Sequence, residues 1–64
     1  MSNKDEILTA YHKYEEEIEK CARLCKKYHD DNENYAKYSE LEQKAKDNRD
    51  KLKVVLQAID AAED

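Results

Sequence analysis

The chain contains no glycine, proline, tryptophan or phenylalanine, and the missing glycine argues against several classes of fold. Glycine supplies the positive φ angles of tight hairpin turns, bulges and nucleotide-binding loops, so all-β folds and glycine-loop α/β folds are disfavoured. Long hydrophobic runs are also absent: no segment approaches membrane length, and no signal-peptide core follows Met1. We therefore expect a cytoplasmic protein without membrane contact, in which Cys21 and Cys25 stay reduced.

A small supply of strongly apolar residues limits the core that this chain can build. Only ten of the 64 residues are Leu, Ile or Val. One domain over residues 1–64 is therefore expected, and a domain of this size usually needs a staple, a metal or a second copy. Charged residues of both signs make up 44% of the chain, with a net charge of −4. Mixed charge on a periodic background is typical of solvated helix faces, and the mild acidity disfavours nucleic acid.

Apolar and aromatic residues recur at steps of three and four in both halves of the chain. Such a stripe is narrow and predicts an α-helix that is covered by another helix. The first stripe consists of Ile7, Tyr11, Tyr14, Ile18, Cys21, Cys25 and Tyr28. The second consists of Tyr38, Leu41, Ala45, Asn48, Leu52, Val55, Ile59 and Ala62, of which only Asn48 is polar.

The two stripes do not share a register, and the slip falls at the turn-forming cluster His29–Asn34. Asp30 followed by Glu33 has the spacing of a capping box, and Ser2 followed by Asp5 offers a similar start for the first helix. These signals indicate a break between two helices. The predicted boundaries are a helix at about 3–29, a turn at about 30–33 and a helix at about 33–62.

Charge pairing predicts that the two helices run antiparallel. If the chain folds back near residue 31, the acidic residues in the middle of the first helix lie near the basic residues of the second, and Lys4 lies near Asp60. A parallel dimer of first helices would instead bring Glu15 and Glu17 near their own copies. The acidic members are Glu15, Glu16, Glu17 and Glu19, facing Lys44, Lys46 and Arg49, while Lys20, Arg23 and Lys26 face Glu40 and Glu42.

The same fold-back predicts which core residues face each other. Cys25 lies opposite Tyr38, and Tyr14 lies opposite Asn48 in a polar layer, unless Asn48 instead marks a kink. Further apolar residues make the face too broad for two helices, so the prediction is an all-α antiparallel hairpin that forms a four-helix bundle as a homodimer. A bound host protein is the alternative cover. The further residues are Leu8, Leu24, Val54, Leu56 and Ala58.

Cys21, Cys25 and His29 are the candidate residues for chemistry. Their spacing of four would place them on one helix face, where they could share a metal with a second copy. The two cysteines also occupy stripe positions that require small apolar side chains, so we expect core packing, with no metal or cofactor. A Cys25–His29 nucleophile would lack an oxyanion hole and a pocket, so we expect no enzymatic activity.

Tyr35 lies off the second stripe and is the aromatic residue most suited to contact a partner. Together with Leu8, Val54 and Leu56 it forms the predicted partner-binding set. The sequence thus predicts a small non-enzymatic interaction module. Its expected role is that of an inhibitor or adaptor that binds a host or regulatory protein, of the kind encoded by phages or mobile elements. A metal or redox sensor through Cys21, Cys25 and His29 is an alternative.

RNA binding is the other alternative. Two antiparallel helices with an acidic turn resemble, in layout along most of the chain, the small plasmid-encoded RNA-binding hairpin that modulates replication. That resemblance implies a dimeric four-helix bundle that contacts RNA through basic and polar side chains on one face. The basic candidates in this chain are Lys20, Arg23, Lys26 and Lys27.

Overall fold

The computed structural model describes residues 2–63 and folds them into two α-helices that pack side by side in opposite directions. Helix α1 spans Asn3–Lys27 and helix α2 spans Asn32–Glu63. The predicted all-α antiparallel hairpin is confirmed, and residues 2–63 contain no strand. Pairing of the hairpin into a four-helix bundle stays a prediction.

Helix α1 begins at the predicted cap and ends slightly earlier than predicted. The Ser2 side chain accepts a hydrogen bond from the Asp5 backbone N–H at 3.3 Å, which satisfies one of the unpaired amides of the first turn. The helix ends at Lys27 rather than near residue 29, because Tyr28 leaves the helical region at φ −105° and ψ 24°. Basic side chains in the last turn stabilise the carboxyl end of the helix dipole.

Helix α2 is capped by Asp31 and not by Asp30 as the sequence spacing predicted. One Asp31 carboxylate oxygen accepts from the Asn34 backbone N–H at 3.2 Å, and the other accepts from the Asn34 side-chain amide at 2.9 Å. Asn34 therefore closes the cap that the prediction assigned to Glu33. Asp30 instead lies 3.2 Å from the ring of His29, at the exposed tip of the turn.

Two small residues mark the closest approach of the helices. Cys21 of α1 is 8% exposed and Ala45 of α2 is 3% exposed, and no other residue in 2–63 is buried. Small side chains at this level allow the backbones to come together. The remaining seam residues are half-buried: Ile7, Tyr11, Tyr14, Ile18, Cys25 and Tyr28 on α1, and Tyr38, Leu52, Leu56 and Ile59 on α2.

Helix α2 is rotated relative to the predicted stripe. Leu41 and Val55 are each 42% exposed, and the half-buried Glu42, Arg49 and Leu56 lie on the seam in their places. This rotation brings Leu56 inward and lets the alkyl parts of Glu42 and Arg49 cover the seam while their charges reach water. Of the other predicted seam positions, Ala62 is exposed, and those that stay buried or half-buried are Tyr38, Ala45, Asn48, Leu52 and Ile59.

The register of the hairpin differs from the predicted one by about one helical turn. The rings of Tyr28 and Tyr38 stack with centroids 5.7 Å apart and planes inclined by 14°, so Tyr38 faces Tyr28 and not Cys25. In residues 2–63 no hydrogen bond joins Tyr14 to Asn48, and the predicted polar layer is absent. The stack places residues 32–37 of α2 beyond the level of Tyr28.

Of the predicted ion pairs between the helices, the one at the open end is present. The Lys4 ammonium lies 2.7 Å from Asp60 and 3.3 Å from Glu63. The hydrogen bonds that the Lys4 ammonium donates to Asp60 and, to a smaller extent, to Glu63 raise the pKa of Lys4. Within the described range the other predicted pairs across the seam are not formed, because the charged groups of α2 pair with each other inside that helix, and Arg49 pairs with Asp50. The pairs formed there are Glu40–Lys44 and Glu42–Lys46.

Candidate interaction surfaces

The predicted partner-binding residues do not form one patch. Tyr35 is 46% exposed on the first turn of α2, and Val54 is 65% exposed near its other end. They are about 28 Å apart along the helix, at 1.5 Å per residue. Leu8 and Leu56 are half-buried, and Leu56 lies on the seam. The structure therefore separates Tyr35 at the turn from the other three residues at the open end.

A different set of residues, apolar except for Asn48, shares one edge of the seam. Leu41, Asn48 and Val55 follow each other at steps of seven and so lie on one line along α2. At about 100° per residue, this line lies on the opposite edge from the Lys4–Asp60 ion pair. Leu24 of α1 lies on the same edge, one turn below the tyrosine stack and level with Leu41. We call the surface formed by Leu24, Leu41, Asn48 and Val55 the lysine-edged face.

Two rows of lysines border the lysine-edged face. Each row has three lysines at steps of seven, and all six side chains are exposed. The upper members lie at one level, since Lys27 and Lys37 each place their ammonium 5.4 Å from the centroid of a ring in the tyrosine stack. Glu17 is an exposed acidic residue between the rows, and Glu40, on the outer side of the α2 row, lies 3.5 Å from Lys44. The rows are Lys13, Lys20 and Lys27 on α1, and Lys37, Lys44 and Lys51 on α2.

The sequence alone does not predict this surface, although it contains half of the signal. The seven-residue spacing of the lysines can be read directly from the chain. What the spacing does not show is that the two rows lie on the same side of the hairpin and at the same height. That depends on the rotation and register of α2, which the structure supplies.

The cysteines are separated from His29. Helix α1 ends at Lys27, so His29 lies in the turn with its Nδ1 atom 3.3 Å from the Lys26 carbonyl oxygen and does not continue the face of Cys21 and Cys25. Burial raises the pKa of the Cys21 thiol, and the Glu17 carboxylate raises it further. A protonated thiol is a poor nucleophile and metal ligand. Within residues 2–63 no cluster of three His, Cys, Asp or Glu side chains has a metal-binding arrangement.

The basic residues assigned to RNA are exposed but point in different directions. Lys20 and Lys27 lie on the side of the lysine-edged face, whereas Arg23 and Lys26 lie further round α1, towards the other edge. None of the four forms a salt bridge with any residue in the part of the chain that the structure describes. Their charges are therefore available to an anionic partner, although not as a single patch.

A shallow groove runs along one flank of α1. All of its lining residues come from this one helix, so the groove is open to solvent and cannot enclose a small molecule. The groove is lined by Ala10, Lys13, Tyr14, Glu16, Glu17 and Lys20.

In the described residues no helix is long and apolar enough to cross a membrane.

Comparison with known proteins finds no matching family model, and no significantly similar curated protein or solved structure.

Proposed function

We propose that this protein is a non-enzymatic interaction module of the cytoplasm, an inhibitor or adaptor that binds a host or regulatory protein through a helical surface. The observation that carries the proposal is the distribution of apolar side chains. Two residues are buried in residues 2–63, whereas Leu41, Val54, Val55 and Tyr35 are large, apolar or aromatic, and exposed. A hairpin that leaves this much apolar surface in water is suited to cover it with a partner.

The exposed area of the hairpin supports the same conclusion. The chain exposes 5106 Å². A compact monomer of 7.6 kDa would expose about 4,300 Å². The excess of about 800 Å² equals the area that each partner contributes to a protein–protein interface of standard size. The radius of gyration of 14.8 Å likewise exceeds the value of about 11 Å for a compact domain of this length.

RNA binding is the second candidate, supported by the unpaired basic side chains at the end of α1. Nucleic-acid binding of this kind depends on phosphate contacts by lysine and arginine, and its affinity falls steeply with salt. The negative net charge and the outward spread of Arg23 and Lys26 favour the protein partner. The predicted homodimer can coexist with either function.

Capture of the tagged protein from lysate of its own host, with and without nuclease, separates these functions. We expect a complex that resists nuclease and contains a defined host protein at fixed stoichiometry by native mass spectrometry. Material that disappears on nuclease treatment would contradict the proposal in favour of RNA. A mass of two chains alone, under both conditions, would contradict it in favour of a self-contained bundle.

A further inference from the structure

We infer that the lysine-edged face is the docking site for an acidic amphipathic helix of the partner protein. This inference rests on the proposed function and adds the chemistry of the partner. A third helix laid along the edge of a two-helix seam contacts both helices and completes a three-helix core. The exposed line on α2 from Leu41 to Val55 is about 21 Å long, at 1.5 Å per residue, and matches a partner helix of about 14 residues.

Apolar contacts supply the centre of this site. Leu24 and Leu41 lie level with each other on the two helices, one turn below the tyrosine stack, and form the upper anchor. Val55 forms the lower anchor on α2, near the open end. Both Leu41 and Val55 are 42% exposed in the hairpin, so each has apolar surface left to bury.

Charge specifies the partner. The two lysine rows place six positive side chains along the borders of the apolar line, with about 10.5 Å between successive members of a row, which is two helical turns. A helix that carries Leu or Ile on one stripe and Glu or Asp at the positions beside it would align its carboxylates with both rows. Such complementarity selects the partner and its orientation more than it adds affinity.

The middle of the face adds a further element of specificity. Glu17 on α1 lies close to the level of Asn48 on α2, so the apolar line is interrupted there by a carboxylate and an amide. A partner helix would match this level best with a polar or basic residue that can hydrogen-bond to them. An apolar residue at that point would leave Glu17 desolvated without a partner, which is costly.

The same lysines disfavour a second copy of this chain on this face. With the two-fold axis parallel to the helices, α1 of one copy packs on α2 of the other, and Lys20 meets Lys44 at equal height. With the axis across the helices, α2 packs on α2, and Lys44 meets Lys51. Both symmetric arrangements therefore bring positive rows together, and like charges at such positions oppose pairing. A homodimer would have to use another surface.

Designed helical peptides test the docking site directly. The probe is a peptide of about 21 residues with a leucine stripe flanked by Glu, and its matched control carries Lys in place of each Glu. We expect the acidic peptide to bind the wild-type protein at least about tenfold more tightly than the basic peptide in fluorescence anisotropy, with the difference shrinking as salt is added. Equal binding of the two peptides would overturn the inference, as would tighter binding of a double-stranded RNA of similar length.

Two charge-reversal variants locate the site on the hairpin. Lys20→Glu with Lys44→Glu changes one lysine of each row, and Lys26→Glu with Lys53→Glu makes the same change of charge on the other edge. All four side chains are exposed, so both variants should stay folded by circular dichroism. We expect the first pair to weaken acidic-peptide binding at least about tenfold and the second less than about threefold. An equal loss in both variants would show non-specific charge attraction and overturn the inference.

The two proposals fail separately in this design. If the acidic and basic peptides bind equally well but the nuclease-resistant host protein is still captured, the docking inference is wrong and the proposed function stands. If nothing but RNA is captured, the proposed function fails, and the docking inference fails with it.

Discussion

The two helices of the hairpin use their apolar residues in different ways. On α1 and its cap residue Tyr28, every member of the predicted stripe lies on the seam, and none is fully exposed. On α2, the predicted stripe is divided: Ala45 is 3% exposed, whereas Leu41 and Val55 are each 42% exposed. Helix α1 therefore places its whole predicted stripe against its neighbour, whereas α2 leaves part of its predicted stripe in solvent.

This difference assigns separate roles to the helices. A single stripe has one way to pack, so α1 defines the fold of the hairpin. Two adjacent stripes compete for the same neighbour, so α2 buries one and presents the other to solvent. Substitutions on α1 should therefore act mainly on the free energy of unfolding. Substitutions on the exposed line of α2 should act mainly on partner binding.

The largest effect on stability is expected at the closest approach of the helices. Ala45→Leu inserts a side chain where no space exists and should lower the free energy of unfolding by about 1–3 kcal/mol. Ala58→Leu, on the exposed side of the same helix, is the matched control and should change it by less than about 0.5 kcal/mol. Urea denaturation followed by circular dichroism measures both. Equal effects would show that the helices do not meet at Ala45.

Shortening one side chain on each helix tests the separate roles of α1 and α2 directly. Ile18→Ala removes a half-buried side chain from the seam and should lower the free energy of unfolding by about 1–2 kcal/mol, less than a fully buried isoleucine because it is partly solvated. Leu41→Ala should lower it by less than about 0.5 kcal/mol. The same urea titrations provide the values. A larger loss for Leu41→Ala would place it in the core and reverse the roles given to the two stripes.

A smaller effect distinguishes the two aspartates of the turn. Asp31→Ala removes the cap of α2 and should cost about 1 kcal/mol of unfolding free energy, while Asp30→Ala should cost less than about 0.5 kcal/mol. Thermal melts of the two variants give the difference. If Asp30→Ala were the more damaging, the cap predicted from sequence spacing would be the correct one.

Titration of Cys21 gives the smallest expected effect. In a Cys25→Ser variant, the pH midpoint for alkylation of Cys21 should lie higher in the folded protein than in urea, because burial raises the pKa of this thiol. The corresponding stability is present below the unfolded pKa and is lost as the pH rises through the higher folded pKa. The hairpin should thus weaken in the alkaline range. A midpoint that is lower when folded would indicate an activated thiol and revive the redox-sensor alternative.

The sequence predicts the hairpin and its direction, since the register break between the two stripes is a local signal and the opposite charges of Lys4 and Asp60 do pair in the structure. It does not predict the rotation of α2, because this helix carries two candidate stripes. One passes through Leu41 and Val55 and the other through Leu56, and both repeat at steps of three and four residues. Competition between adjacent residues also explains the misassigned cap, where Asp30 and Asp31 have similar propensity. The placement of the two lysine rows on one side of the hairpin can be recognised only when the rotation and register of α2 are known.

One measurement tests the central claim that the exposed line of α2 is an interaction surface. The double variant Leu41→Ala with Val55→Ala is compared with wild type for capture of the nuclease-resistant host protein, with the free energy of unfolding measured on the same samples. Capture should be lost while the free energy of unfolding changes by less than about 1 kcal/mol. Undiminished capture by the folded variant, or unfolding of the variant itself, would contradict that claim.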